Sequence, residues 1–294
     1  MTSHSQDMTP AAPKSTPLLV TDHWIEMRAD GQQEAPPPRL FARRWQAAAA
    51  PDGDDADSGK APLVLMHDSL GCVALWREFP EALARTTGRS VIAYDRLGFG
   101  QSDARQALPP LSFVADEAIE GFAAVRAHFG LQRFAVLGHS VGGGMAVHIA
   151  AHYGETACTA LVTLSAQAFV EQRTLDGIRV AQAQFADPAQ RERLRRYHGD
   201  KTDWVLSAWI DNWLSPGFAD WRLDAALPKV RCPALVIHGE ADEYGSPEHP
   251  RRIEQGLGSA DKRALVMAGV GHVPHREQAE RTVGEIAGFL AGVG

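Results

Sequence analysis

Ser140 lies in Phe134-Ala135-Val136-Leu137-Gly138-His139-Ser140-Val141-Gly142-Gly143, a short apolar run that ends in Gly-His-Ser-Val-Gly. A helical pattern follows from 143 to 153. A serine hydroxyl is a poor nucleophile at neutral pH unless a base takes its proton and an acid orients that base. Strand, glycine-bracketed serine and helix in succession describe a turn so sharp that the hydroxyl projects from the end of a sheet. Gly138 and Gly142 carry no Cβ, so neighbouring chain can pass close to the turn. The helix that starts after the serine points free N–H groups and the positive end of its dipole at any oxyanion formed there. The chemistry that suits this pattern is nucleophilic attack on a carbonyl.

The partners of Ser140 must lie at later strand ends. In Leu235-Val236-Ile237-His238-Gly239-Glu240-Ala241-Asp242 a carboxylate follows a strand and a glycine turn, which makes Asp242 the choice for the orienting acid. Glu240 and Glu243 read as solvated loop residues, and the rivals Asp116 and Asp211 fall in helical patterns. In Val266-Met267-Ala268-Gly269-Val270-Gly271-His272-Val273-Pro274-His275 two histidines follow the final strand. His272 is favoured as the base over His275, which falls on the first turn of the last helix. His139 reads as a packing residue inside the turn and His238 as a local hydrogen-bonding group. His148, His152, His198 and His249 read as surface or satisfied histidines. The chain order Ser140, Asp242, His272 suits a strand–turn–helix nucleophile.

The elements that must position these groups are legible as alternating patterns. Strands are predicted at 18–28, 39–45, 63–66, 90–94, 133–137, 160–164, 234–238 and 263–267. Helices are predicted at 76–87, 112–129, 143–153, 248–256 and 277–290. Residues 1–17 read as a disordered tail, 47–60 as a flexible loop, and Asp30-Gly31 as part of the joint between the first two strands. From 167 to 227 the strand signal stops, and a polar helical stretch carries Trp204, Trp209, Trp213 and Trp221 near its end. Strands alternating with helices imply a mostly parallel sheet covered on both faces. Such sheets keep active sites at the carboxyl ends of their strands. His67-Asp68-Ser69, Asp95, Ser140 and the residues after Ile237 all fall there.

Composition excludes several classes. The 294 residues are 45% hydrophobic with a net charge of −7, which argues against a general nucleic-acid binder. Arg191, Arg193, Arg195 and Arg196 read as a solvated helix face. Cys72, Cys158 and Cys232 cannot all pair with one another and read as free thiols of a reducing compartment. The first residues do not resemble a secretory signal, and no apolar run reaches membrane-spanning length. A cytoplasmic protein without membrane or nucleic-acid partners is the expectation. No zinc spacing, phosphate loop or dinucleotide fingerprint is present, so neither metal nor cofactor is expected. The sequence fixes no oligomeric state.

From about Leu18 onward the chain resembles the α/β-hydrolase superfamily. The resemblance is carried by His67-Asp68-Ser69-Leu70-Gly71, Asp95-Arg96-Leu97-Gly98-Phe99-Gly100-Gln101-Ser102, Gly138-His139-Ser140-Val141-Gly142-Gly143, His238-Gly239-Glu240-Ala241-Asp242 and Gly271-His272-Val273-Pro274-His275. It is similar to the branch that holds esterases, proline iminopeptidases, meta-cleavage-product hydrolases and the menaquinone-pathway SHCHC synthase. The resemblance implies an eight-stranded α/β sheet whose core spans 18–166 and 228–294, with an inserted helical cap at 167–227. It implies Ser140 as nucleophile, Asp242 as acid, His272 as base, and the Ser69 and Val141 N–H groups as oxyanion hole. The chain departs from the family at His67-Asp68, where His-Gly is usual. Asp68 is therefore expected to need an unusual backbone angle, and either to hydrogen-bond its own loop or to set a carboxylate beside the oxyanion site.

Three activities follow. The first is hydrolysis of a small-molecule carboxylic ester or thioester through an acyl-enzyme. The second is C–C bond hydrolysis or elimination on a vinylogous ketoacid, whose carboxylates would call for a pocket arginine such as Arg96, Arg173 or Arg179. The third is a non-catalytic small-molecule binding module. Asp68, His139, Trp209 and Trp213 are the candidate pocket residues.

Overall fold

The computed structural model describes residues 17–27, 36–48 and 59–293. Most of the expected tail, the Asp30-Gly31 joint and most of the 47–60 loop lie outside the described residues. The strands are β1 (Leu18–Glu26), β2 (Arg39–Ala47), β3 (Leu63–Met66), β4 (Val91–Tyr94), β5 (Phe134–His139), β6 (Cys158–Leu164), β7 (Ala234–Gly239) and β8 (Lys262–Met267). They form one eight-stranded sheet in the order β1-β2-β4-β3-β5-β6-β7-β8. β1 pairs antiparallel with β2, and β2 with β4; every later pairing is parallel.

The helices are α1 (Phe79–Thr87), α2 (Phe113–Asp116), α3 (Gly121–His128), α4 (Val141–Ala157), α5 (Gln172–Gln184), α6 (Pro188–His198), α7 (Thr202–Trp213), α8 (Glu248–Gly256), α9 (Pro274–Glu277) and α10 (Ala279–Ala291). β3 to β7 are buried along their length because helices cover both faces, which is why they read as unbroken apolar runs. Successive residues of β5 point to opposite faces. Phe134 and Val136 join Phe122, Met145 and Ile149 in one core, while Ala135 and Leu137 join Phe79, Leu83 and Ile286 in the other. α5 to α7 lie between β6 and β7 in the chain, and an isolated bridge pairs Phe169 with Arg222. Among the described residues no helix is long and apolar enough to cross a membrane.

The helix predicted at 112–129 is two helices. Glu117 turns inward to accept a hydrogen bond from the Tyr94 hydroxyl at 2.6 Å. Its carboxyl fills the space beside Gly121, where a Cβ would meet Oε1 at 2.1 Å, and the chain unwinds between the two segments. The helix predicted from 76 starts at Phe79 instead, because Arg77 adopts φ 52° and Pro80 sits in the first turn. The last helix also divides, so that His275 lies on the short α9 rather than on the first turn of α10.

Candidate active site

The turn after β5 holds Ser140 at φ 55° and ψ −124°, a conformation that costs a non-glycine residue about 1–3 kcal/mol. The surroundings enforce it. A Cβ on Gly138 would lie 2.0 Å from the Gly142 carbonyl oxygen, and one on Gly142 would lie 2.2 Å from that of Met66. Ser140 N–H donates to the Leu164 carbonyl at 2.8 Å, which ties the turn to β6.

Asp242 and His272 come together from the ends of β7 and β8. His272 Nδ1 lies 2.9 Å and 2.8 Å from the two Asp242 carboxylate oxygens. Asp242 is fully buried and also accepts from the N–H groups of Tyr244 at 2.7 Å and Gly245 at 3.1 Å. Burial alone would push its carboxyl up. The His272 hydrogen bond and the charges of His272 and His238 outweigh burial and hold it below its ordinary value. For His272, burial pushes the imidazole down, but the hydrogen bond and charge of Asp242, with the charges of Glu243 and Asp68, raise it above the ordinary value. The loop that carries His272 is held by three glutamates. Glu240 accepts from Gly269 N–H, Glu243 from His272 N–H, and Glu277 from the N–H groups of Gly271 and Val273. Glu240 and Glu243 thus have structural partners that the sequence reading did not give them.

Ser140 and His272 line the same cavity. The hydroxyl is not hydrogen-bonded to the imidazole in this arrangement, and contacts of this kind often tighten only with substrate in place. With Nδ1 donating to Asp242, the lone pair of His272 is left on Nε2.

Ser69, in the loop after β3, lines the same cavity as Ser140. Among the described residues, neither the Ser69 N–H nor the Val141 N–H donates to a protein acceptor. Asp68 holds this loop. Its Oδ1 accepts from Leu70 N–H at 2.9 Å and its Oδ2 lies 3.3 Å from His139 Nδ1. Asp68 thus hydrogen-bonds its own loop, one of the two roles expected of it, and is among the residues that line the cavity. The expected unusual backbone angle is absent, since Arg77, Ser140 and Ser165 are the described non-glycine residues with positive φ. His67 donates through Nδ1 to the Asp68 carbonyl at 2.7 Å and accepts at Nε2 from Arg96 N–H at 3.1 Å, which fixes that peptide without a glycine. Asp95 pins the neighbouring loops by accepting from the N–H groups of Val73 and Gln101, each at 2.6 Å.

The cavity of about 120 Å³ is completed by Leu70, Gln167, Thr174, Ile178, Trp209, Trp213 and Tyr244. Trp209 and Trp213, two of the candidate pocket residues, are among those that line it. His139 lies behind the cavity wall, packed on His272 and His275. Tyr244, whose ring is 4.8 Å from that of His272, was missed, though its place two residues after Asp242 was a usable signal. Thr174 and Ile178 were missed too; they share a face of α5, a spacing lost in a polar stretch. The three arginines fall elsewhere. Arg96 is buried over the Phe99 ring, Arg173 donates to the Asp242 carbonyl from an exposed position, and Arg179 pairs with Asp176.

A family model described as the alpha/beta hydrolase fold matches residues 61–200. A proline iminopeptidase of Lactobacillus helveticus is 25% identical over 276 residues, covering 79% of this chain and 90% of that protein. A 2-hydroxy-6-oxononadienedioate/2-hydroxy-6-oxononatrienedioate hydrolase of Paraburkholderia phymatum is 27% identical over 267 residues, covering 81% of this chain and 89% of that protein. Among solved structures, the 2-hydroxy-6-oxo-6-phenylhexa-2,4-dienoate hydrolase of Rhodococcus sp. strain RHA1 superposes with a TM-score of 0.73 at 15% identity, covering 94% of this chain and 100% of that one. At that identity the likeness is one of fold.

Proposed function

We propose that this chain, which is similar to hydrolases and matches a model of the alpha/beta hydrolase fold, is a hydrolase of the α/β-hydrolase superfamily that cleaves a small-molecule carboxylic ester or thioester through an acyl-enzyme on Ser140. The observation that carries the reading is the Asp242–His272 pair opening on the cavity that Ser140 shares. His272 Nε2 takes the hydroxyl proton, and the Ser140 oxygen attacks the carbonyl carbon. The Ser69 and Val141 N–H groups, free of protein acceptors, hold the oxyanion, each contributing roughly 3 kcal/mol to barrier lowering. Collapse expels the leaving group, which takes the proton back from His272. Water, deprotonated by His272, then attacks the acyl-enzyme and releases the acid.

The helices α5 to α7 act as a cap in this reading, since Thr174, Ile178, Trp209 and Trp213 supply much of the cavity wall. The buried part of the substrate is small and apolar. A cavity near 120 Å³ compares with the roughly 150 Å³ that accepts one benzene-sized group. The proposed compartment is the cytoplasm, in keeping with three unpaired cysteines.

The likeness to C–C bond hydrolases favours a second reading, cleavage of a vinylogous ketoacid by the same three residues. The cavity wall offers such a dianion no arginine and sets Asp68 against it, so the ester reading stands first. Turnover of p-nitrophenyl esters, thioesters, aminoacyl amides and dienoate ketones by the wild type and Ser140→Ala decides between them. Substantial ester turnover by Ser140→Ala would overturn the role given to Ser140, and cleavage of dienoate ketones alone would favour the second reading.

A further inference from the structure

His139 performs no step in the mechanism above, yet it contacts the loops of both Asp68 and His272. It precedes Ser140 in the chain, it is 2% exposed, and its ring stands between two loops. Nε2 lies 2.8 Å from the His272 carbonyl oxygen, and Nδ1 lies 3.3 Å from Asp68 Oδ2. A carbonyl oxygen only accepts, so Nε2 carries a proton. Nδ1, the other ring nitrogen, faces the Asp68 carboxylate. Asp68 is itself fixed by Leu70 N–H, one residue beyond Ser69. On the other side, the His272 peptide is gripped at both ends: Glu243 accepts its N–H at 3.2 Å, and His139 donates to its carbonyl. The rings of His275 at 4.8 Å, His272 at 5.1 Å and Trp76 at 6.3 Å pack around His139 and leave it no room to turn.

We propose that His139 is a positioning residue for the reaction: its ring is the strut that sets the oxyanion loop at Asp68 and Ser69 relative to the base at His272. The proposal rests on the reading of Ser140 as nucleophile. Plain packing of a buried ring would place no demand on either nitrogen. The two polar contacts, one to each loop, are what packing does not require.

The test measures kcat and KM with p-nitrophenyl butyrate, and the second-order rate at which a fluorophosphonate modifies Ser140. The proteins are the wild type, His139→Phe, Asp68→Ala, Asp68→Asn and the double variant His139→Phe/Asp68→Ala. Displacing a base or an oxyanion donor by a fraction of an ångström costs on the order of tenfold to a hundredfold. His139→Phe and Asp68→Ala are expected to lose that much in kcat and in labelling rate, with KM changed by less than about threefold. The double variant loses no more than the worse single, because both substitutions break one strut. Asp68→Asn recovers most of what Asp68→Ala loses, since its amide keeps a polar partner for Nδ1. Should His139→Phe fail to fold, the two Asp68 variants carry the test. Single variants with wild-type kcat, losses that appear in KM, or losses that multiply in the double variant overturn the proposal. A wild type that is labelled at Ser140 while His139→Phe is labelled equally fast sinks the strut and leaves the nucleophile standing. A wild type that is not labelled at Ser140 sinks both.

Discussion

Nδ1 of His272 sits almost symmetrically between the carboxylate oxygens of Asp242, at 2.8 Å and 2.9 Å. The symmetry leaves one donor, the imidazole N–H, serving both acceptors. It also leaves Nε2 as the nitrogen without a proton. In the proposed reaction the carboxylate does two things at once: it selects the tautomer and it stabilises the imidazolium that forms when Ser140 gives up its proton.

Asp242→Asn removes both effects while keeping the shape. The amide offers a donor where the carboxylate accepted, so the imidazole is driven to the wrong tautomer. A loss in kcat of roughly three to four orders of magnitude is expected, with KM little changed. Steady-state kinetics on p-nitrophenyl butyrate check it; a loss below tenfold would mean that Asp242 is not the orienting acid.

The pH profile follows from the raised pKa of His272. A base accepts a proton only when neutral, so kcat/KM falls as pH drops through the pKa of the free enzyme. Because Asp242, Glu243 and Asp68 outweigh burial, the acid limb is expected above the ordinary imidazole value of about 6.5. Asp242→Asn takes away the largest raising contact, so the limb moves to lower pH as the plateau falls. Glu243→Gln moves it the same way by less. A limb below 6 in the wild type would contradict the arrangement.

The sequence made the strand ends legible because each chemical group follows an apolar run and a glycine. That rule picked out Ser140, Asp242 and His272 as candidates, and the same alternation of runs and glycines made the α/β architecture readable. Contacts made across the sheet were not legible. Nothing in the local pattern tells that Glu117 turns in towards Tyr94, so 112–129 read as one helix. Nothing tells that His139 reaches Asp68 seventy-one positions away, so His139 read as packing. Tyr244 and the α5 face were hidden because lining residues are chosen by shape, which leaves no period in the sequence.

Gly142→Ala tests the turn. The added Cβ would meet the Met66 carbonyl at 2.2 Å, and backbone on both sides must shift. A loss of stability of about 1–3 kcal/mol, or more, is expected from overpacking at a site with nothing soft to yield. Urea unfolding measures it, and labelling of the surviving folded protein by a fluorophosphonate is expected to slow as Ser140 moves.

Trp209, on α7, lines the cavity that Ser140 also lines. Trp209→Ala opens that wall, so the preference among p-nitrophenyl esters is expected to shift from short acyl chains towards longer ones, with KM for octanoate falling relative to butyrate. One extra methylene in an apolar pocket is worth about 1–3 kcal/mol, so changes of tenfold or more are measurable. An unchanged acyl-length profile would place the acyl group elsewhere.

The rival base gives the last prediction. His275 lies on α9, buried against the rings of Trp76 and Phe79 at 5.0 Å each, and it does not line the cavity. Burial and the charges of His139 and Arg276 hold it well below its ordinary pKa, so it stays neutral at the pH of the assay. Its Nδ1 has no partner among the described residues. A neutral ring with an unpartnered nitrogen, packed on the Trp76 and Phe79 rings, behaves as core, and His275→Phe replaces it with a ring of similar size that needs no hydrogen bond. That variant is expected to keep kcat within about threefold and to match or exceed the wild type in thermal stability, since a buried unpaired nitrogen costs about 1–3 kcal/mol. His272→Phe, by contrast, removes the proposed proton acceptor and is expected to lose more than about 10³-fold in kcat. Measured side by side, equal losses in the two variants would mean that the base had been assigned to the wrong histidine.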